Sequence, residues 1–200
     1  MAEPVGRRTG ELRDQTGALR DRAALVAEPG GQRPRVLRDS AVPVKDAPAV
    51  LSWLDPAAVP DRRHVSVVMV VPFVTDGEIV AARLRRGVEI PGGHVLPEDG
   101  SLEGAARREA WEEVRITLGP LSVAQVIRVD RLTDPPGTTH VVVYAGRVLQ
   151  MAPFDRAHES LARMVVSTGD FIDHYGTGTR EDRRMLITEA TATLRTVAPQ

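Results

Sequence analysis

Runs of hydrophobic residues divide this chain into short segments separated by turns rich in Gly, Pro and Asp. Continuous or alternating apolar runs of this kind predict β-strands. The predicted strands are 65–74, 79–84, 121–132, 140–149 and 160–166. The pair Asp76-Gly77 separates the first two and is a strong hairpin signal. We therefore expect these two strands to pair in antiparallel fashion.

Three helices are predicted, at 46–54, 102–114 and 180–197. Asp46 as a cap and Pro56 as a stop indicate the first, and apolar residues at helical spacing indicate the other two. Ser101 precedes the second and is a typical N-cap, because its hydroxyl can accept from a first-turn N–H. Gly104 inside this helix is expected to cost roughly 1 kcal/mol relative to alanine. The order of strands and helices predicts an α/β fold, with a mixed sheet covered by helices on both faces.

Residues 1–45 are predicted to form an N-terminal extension, partly helical or disordered, ahead of a domain over 46–200. A weak helical pattern covers 9–27, and Gly17 interrupts it. Two interpretations stand, a loosely ordered arm or a helix that packs on the core or on a partner subunit. The arm is favoured, because few large apolar residues are available to offset the entropy of ordering.

Three carboxylates at i, i+3 and i+4 are the most informative feature of the predicted helix 102–114. Glu109, Glu112 and Glu113 project from one helical face at this spacing. Close carboxylates repel one another, which is costly unless a cation neutralises them. Mg²⁺ binds oxygen ligands of this kind, commonly together with substrate phosphates. The spacing therefore indicates metal-assisted phosphate chemistry.

A solvated helix carrying Arg–Glu pairs, such as Arg108 with Glu112, is the competing interpretation of the same residues. However, the acids continue the stripe that begins with Leu102, Ala105 and Ala106. If that stripe faces the body of the protein, the carboxylates face inward or into a cleft.

The segment from Gly92 to Ile116 resembles the signature of the Nudix hydrolase family. That signature joins a glycine, through a loop that carries a first glutamate, to Arg-Glu, two intervening residues, Glu-Glu, one further residue, a glycine and an aliphatic residue. The matching positions are Gly93, Arg108, Glu109, Glu112, Glu113 and Ile116. The pattern of flanking strands extends the resemblance over about 64–197. The resemblance implies a Nudix-like α/β/α sandwich with a mixed sheet.

Two departures from the family pattern affect the site. The loop before Arg108 is one residue longer than the family spacing, which displaces the first signature glutamate. Counted back from Arg108, Gly100 takes the place of this glutamate, and counted forward from Gly93, Asp99 does. Glu98 or Asp99 could supply the negative charge of the missing glutamate. Arg115 stands where the family has a helix-ending glycine, so it must either adopt a left-handed conformation at a cost or let the helix end differently.

The resemblance also implies roles for individual residues. Glu109, Glu112 and Glu113 would hold Mg²⁺ or Mn²⁺, and Gly93 could add a backbone oxygen. Glu112 and Glu113 are the predicted catalytic acids. Arg108 completes the predicted catalytic set by bracing the glutamates rather than by contacting substrate.

Candidates for substrate contacts lie outside the signature core. Arg83, Arg85 and Arg86 follow the second predicted strand and could hold phosphates, although a polar strand edge explains them about as well. His94 adjoins the Gly-Gly turn. Glu159 lies just before a predicted strand, where a solvated loop residue is the competing interpretation.

The function expected from these residues is Mg²⁺-dependent hydrolysis of a diphosphate bond in a nucleoside diphosphate linked to another moiety. One alternative is a non-catalytic Nudix-like module that binds a nucleotide or a partner. Another is a hydrolase of a non-nucleotide diphosphate, such as an isoprenyl diphosphate. Few aromatic residues are available for base stacking, so the last alternative stays open.

Composition narrows the class of protein further. Cysteine is absent, which excludes disulfides and thiolate metal sites and fits a cytoplasmic protein. With a net charge of −1, the protein has no overall positive field that would attract a nucleic acid polymer. No apolar run is long enough to span a membrane. Lys45 is the only lysine among 26 basic residues, a bias typical of a high-GC bacterium. The expected partner is a small-molecule diphosphate, with a homodimer possible.

Overall fold

A mixed β-sheet forms the centre of the fold. The computed structural model describes residues 35–44, 47–132, 136–155, 158–176 and 178–196. Nine strands within these ranges join one sheet. They are β1 (Val36–Val44), β2 (Ala47–Leu54), β3 (Val65–Thr75), β4 (Glu78–Leu84), β5 (Gly87–Glu89), β6 (Gly92–His94), β7 (Ile116–Arg131), β8 (Gly137–Met151) and β9 (Ala162–Ser167).

The strand order is β1-β2-β7-β8-β3-β4-β5, with β6 paired to β3 and β9 paired to β4. β3 and β8 run parallel, from the pair Val65–His140 to the pair Phe73–Arg147. The other pairings are antiparallel, including the predicted β3–β4 hairpin. The sheet is therefore mixed, as the order of elements predicts.

Helices cover both faces of the sheet. They are α1 (Leu102–Val114), α2 (Thr168–His174) and α3 (Arg180–Thr196), with single 3₁₀ turns at Arg62–His64 and Pro97–Asp99. α1 packs on one face through alanines at 105, 106 and 110, against Val68, Val80 and other strand residues. α2 and α3 pack on the opposite face through Phe171 and Ile187. The predicted α/β/α sandwich is confirmed.

The prediction of a helix at 46–54 is wrong, because this segment is β2. Val50, Trp53 and Leu54 are buried at i, i+3 and i+4, which matches a helical face. However, β2 lies between β1 and β7 and is covered on both faces, so Ser52 is buried as well. A strand buried on both faces does not alternate, and its periodicity cannot be distinguished from that of a buried helix.

Part of the predicted extension belongs to the sheet. β1 lies within residues 1–45 and pairs with β2 along its length. The predicted helix over 9–27 lies outside the described residues. None of the helices in the described ranges is both long enough and apolar enough to cross a membrane.

Helix α1 begins and packs as its small residues dictate. The Ser101 hydroxyl accepts from the Gly104 N–H at 2.9 Å, which confirms the predicted N-cap. Three of the six buried residues of the helix are alanines, whose small side chains allow close packing on the sheet. Gly104 also has a packing role, because a Cβ there would overlap the carbonyl oxygen of Asp99.

Replacing Gly104 by alanine should therefore destabilise the protein, although alanine is normally the better helix former. We expect Gly104→Ala to lower the free energy of unfolding by about 1–3 kcal/mol, as overpacking does. Gly169 in α2 is the matched control, since a Cβ there comes no nearer than 3.8 Å to its surroundings. Gly169→Ala should be neutral or stabilising by up to about 1 kcal/mol. Urea denaturation of both variants tests this, and a stabilising Gly104→Ala would contradict it.

Candidate active site

Helix α1 turns two of the three acids at 109, 112 and 113 inward. Glu109 and Glu113 are 9% and 8% exposed and lie on the same face as the buried alanines. Glu112 lies at the edge of this face, with its side chain 27% exposed. The acids therefore continue the buried stripe of the helix into the protein rather than into bulk solvent.

The Gly-Gly turn lies directly against these carboxylates. Gly92 and Gly93 belong to β6, and the Gly92 N–H donates to Oε2 of Glu113 at 3.0 Å. A Cβ on Gly93 would overlap the carboxylate of Glu109, and one on Gly92 would lie 2.6 Å from the carbonyl oxygen of Val68. Glycine is needed at both positions because backbone and carboxylates approach so closely.

Arg108 links the acids of the site to one another. Its Nη1 donates to Oε1 of Glu109 and to Oε2 of Glu112, both at 2.8 Å. Its Nη2 donates to the backbone carbonyl of His94 at 2.9 Å. The guanidinium thus holds two of the three glutamates and the strand that carries the Gly-Gly turn.

Asp99 holds the other side of Arg108. Its Oδ1 accepts from Nε of Arg108 at 2.6 Å, and its Oδ2 accepts from the Leu96 N–H at 2.7 Å. The Asp99 side chain is 2% exposed, and its hydrogen bond from Arg108 lowers its pKa. Of the two residues that could supply the displaced signature charge, the structure brings Asp99 to Arg108. The 3₁₀ turn and Gly100, at φ 70°, accommodate the extra loop residue.

Burial makes the two inward acids hard to ionise. It raises the pKa of Glu113 to about 7, against the hydrogen bond from Gly92. It also raises the pKa of Glu109, against the pairing with Arg108. A buried carboxylate without a matching positive charge is unfavourable, and a bound cation would remove that cost.

Substrate candidates separate into two groups in space. Arg85 and Glu159 line one open groove of about 420 Å³, together with Leu84, Arg86, His158 and Leu161. Arg86 pairs with Glu89 at 3.0 Å and with Glu159 at 3.5 Å. The charge of Arg86, which lines the groove, also lowers the pKa of Glu113.

The other two candidates are placed differently. On β4, Ala82 and Leu84 belong to the core beneath α1, and Arg83 between them points to the opposite face of the sheet. The structure therefore does not bring Arg83 to the carboxylates. His94 is exposed, and its backbone carbonyl accepts the hydrogen bond from Nη2 of Arg108.

A family model of the NUDIX domain matches residues 62–186. This chain belongs to the NUDIX domain family. The matched range includes α1, the Gly-Gly turn and the residues that line the groove, so the residues described above lie within the NUDIX domain. A search of curated protein sequences found no match.

Several solved structures share the NUDIX fold of this chain. The pyrophosphohydrolase BsRppH of Bacillus subtilis, in a mutant form, is 15% identical at a TM-score of 0.60, covering 80% of this chain and 97% of that one. A NUDIX hydrolase from Nitrosomonas europaea is 16% identical at a TM-score of 0.51, covering 68% and 97%. The NUDIX domain of Shewanella oneidensis NrtR, complexed with ADP-ribose, is 17% identical at 0.52, covering 70% and 93%. These likenesses establish the fold.

The helix of this NUDIX domain ends in an unusual way. Arg115 follows α1 at φ 52° and ψ 48°, a left-handed conformation that glycine adopts without cost. Of the two outcomes considered for Arg115, the structure therefore shows the left-handed one. Asp155 pairs with its guanidinium, with Nε to Oδ1 at 2.8 Å.

The donor set of the NUDIX domain suits a hard divalent cation in its chemistry. Three carboxylates and the backbone of Gly92 and Gly93 provide only oxygen ligands, which Mg²⁺ and Mn²⁺ favour. Within the described ranges, no three acidic or histidine side chains already converge on one point. Arg108 donates hydrogen bonds to Glu109 and Glu112, so these two side chains would have to leave Arg108 in order to hold an ion.

Loss of Arg108 should be severe because it leaves buried Asp99 unpaired. We expect Arg108→Met to lower the free energy of unfolding by about 3–5 kcal/mol at pH 7. Adding Asp99→Asn should restore at least about 1 kcal/mol, because the orphaned charge is gone. Urea denaturation of the single and double variants measures this coupling, and strictly additive losses would contradict it.

Glu113 should make the metal-free protein less stable as pH rises. Its pKa is about 7 in the folded protein and 4.5 ordinarily, so the folded state binds more protons between these values. The free energy of unfolding should therefore fall across this window, by on the order of 2–3 kcal/mol. Glu113→Gln retains the acceptor for Gly92 without the charge. With EDTA present, it should match the wild type near pH 4.5 and exceed it at pH 8; equal stabilities at pH 8 would refute this.

Proposed function

We propose that this chain is a hydrolase, dependent on Mg²⁺ or Mn²⁺, of the diphosphate bond in a nucleoside diphosphate linked to another moiety. The observation that supports this most is the burial of Glu109 and Glu113 against the Gly-Gly turn. Buried acids with raised pKa values are typical of a functional site.

Glu109, Glu112 and Glu113 would hold the cation, and a carbonyl of Gly93 would add a further oxygen. When bound, the ion neutralises phosphate charge and lowers the pKa of a coordinated water. Phosphoryl transfer depends mainly on positioning and charge neutralisation. Here the three glutamates would position the ion and the ion would neutralise the charge, so the proposed reaction needs no covalent nucleophile.

Glu112 and Arg108 have separate duties in this proposal. Glu112 is the most exposed of the three acids, so it is placed to serve as a further ligand or as the base that orients water. Arg108 holds Glu109 and Glu112 side by side, and its bonds to Asp99 and to the His94 carbonyl would keep it in place when the two acids turn to an ion. It is a positioning residue, because its donors are already engaged by protein oxygens.

The groove lined by Arg85 and Arg86 would receive the phosphate-bearing part of the substrate. Arg85 and Arg86 provide positive charge there, while Glu89 and Glu159 keep the guanidinium of Arg86 in place. The pyrophosphohydrolase activity named for the Bacillus subtilis protein, and the ADP-ribose in the Shewanella oneidensis structure, support testing nucleotide diphosphates first.

Purified protein with Mg²⁺ or Mn²⁺ should release phosphate-bearing products from a panel of substrates. The panel contains nucleotide sugars, dinucleotides, oxidised nucleotides and prenyl diphosphates. Glu113→Gln should lose at least about 100-fold in kcat, given the usual effect of removing one charge-stabilising group.

Glu103→Gln is the matched control for this experiment. Glu103 lies on the exposed side of the same helix and pairs with Arg107 at 2.7 Å. This variant should keep wild-type activity. Full activity in Glu113→Gln, or an equal loss in both variants, would contradict the assignment of the site.

One observation favours a second candidate function, a non-catalytic module that binds a nucleotide or a partner. Arg108 already neutralises Glu109 and Glu112, which reduces the need of these two acids for a cation. Calorimetry with Mn²⁺ separates the candidates. Uptake of Mn²⁺ with turnover supports the hydrolase, whereas nucleotide binding without either supports the module.

A further inference from the structure

The last turn of α1 carries the acids of the site and ends against two other parts of the chain. Glu112 and Glu113 lie in this turn, and Arg115 follows in its left-handed conformation. The final carbonyls of a helix have no partners within the helix, so other groups must satisfy them. How these carbonyls are satisfied therefore decides how firmly the turn is held.

Arg163 reaches the end of the helix from β9. It lies directly opposite Ala82 of β4, whose side chain packs in the core beneath α1, so both residues leave the sheet on that face. Its Nη1 donates to the carbonyls of Ala152 at 2.7 Å, Val114 at 3.2 Å and Arg115 at 3.3 Å. One guanidinium nitrogen thus joins the helix end to the segment after β8.

Arg115 fastens the same turn from the other side. Its Nη1 donates to the carbonyl of Trp111 at 3.0 Å, and its guanidinium lies 5.5 Å from the centre of the Trp111 ring. Its Nε and Nη2 donate to the two carboxylate oxygens of Asp155, at 2.8 and 3.3 Å. Its own carbonyl accepts from the Ala152 N–H at 2.9 Å. We call Arg115, Asp155 and Arg163 the helix-end clamp.

We propose that Arg163, acting through the helix-end clamp, is a positioning residue that holds the last turn of α1 so that Glu113 stays directed at the Gly-Gly turn and Glu112 stays beside Arg108. This inference rests on the proposed function of that turn as the metal site. Arg108 and Asp99 hold the acids on the side of the loop, and the clamp holds them at the end of the helix. A positively charged group is also favourable at a helix C-terminus.

Arg107 offers a matched control on the same helix. Its guanidinium donates to the carbonyls of Leu118 at 2.5 Å and Gly119 at 2.7 Å, and it pairs with Glu103. It therefore makes the same kind of bonds as Arg163 but ties the helix to β7 rather than closing its last turn. Arg107→Met and Arg163→Met remove equivalent hydrogen bonds, and Arg163→Lys retains a cation that can donate.

The first measurement is amide hydrogen exchange of the metal-free full chain. Amides of the last turn, from Glu113 to Arg115, should exchange at least about 10-fold faster in Arg163→Met than in Arg107→Met. The second is Mn²⁺ affinity by calorimetry. Arg163→Met should weaken Mn²⁺ binding by about 10-fold, as loss of a group that orients ligands does, while Arg107→Met stays near wild type and Arg163→Lys recovers part of the loss.

Equal exchange in the two methionine variants would overturn the proposal. Faster exchange with unchanged Mn²⁺ affinity would also overturn it, since Arg163 would then support the fold without positioning the acids. A wild type that takes up no Mn²⁺ contradicts the proposed function instead. In that case the exchange comparison, which needs no metal, still decides whether Arg163 fixes the turn.

Discussion

Two carboxylates buried side by side are the constraint on which the rest of the site depends. Glu109 and Glu113 are removed from water, and burial raises the pKa of both. Glu109 raises the pKa of Glu113 further, while Glu112 and Asp99 raise that of Glu109. Glu113 has the Gly92 N–H to stabilise its charge, which is a weak substitute for a cation. The fold maintains this unfavourable arrangement because the acids lie on the same buried face of α1 as the alanines, and the glycines of β6 pack closely against this face.

Arginines at both ends of the acidic stretch keep that arrangement in place. Arg108 connects it to Asp99 and to the strand of the Gly-Gly turn, while Arg163 connects its end to the chain after β8. Arg108 uses several donors on fixed acceptors, which a guanidinium does better than an ammonium group, and Arg163 reaches three carbonyls through Nη1. Asp155 of the helix-end clamp shortly precedes in sequence two residues that line the groove, His158 and Glu159.

The sequence predicts those features that are local. The spacing of Glu109, Glu112 and Glu113, the cap at Ser101 and the Asp76-Gly77 turn depend on neighbours along the chain, and the structure shows each of these elements. β2 and Arg163 depend on residues distant in sequence. β2 became a strand because β1 and β7 flank it, and Arg163 has a role only because β9 pairs with β4. No residue pattern near Ala162 indicates that β9 pairs with β4. The helix α2 is also difficult to predict, because its seven residues are too few to show a helical period.

The ionisation of Glu113 tests the central claim most directly. A carbon-13 NMR titration of the glutamate carboxyls, assigned with Glu113→Gln, measures its pKa with and without Mg²⁺. A buried acid held for a cation should titrate near 7 in EDTA, and Mg²⁺ should lower its pKa by at least about one unit, since a nearby positive charge favours the ionised form. An ordinary pKa near 4.5 that Mg²⁺ leaves unchanged would contradict the account.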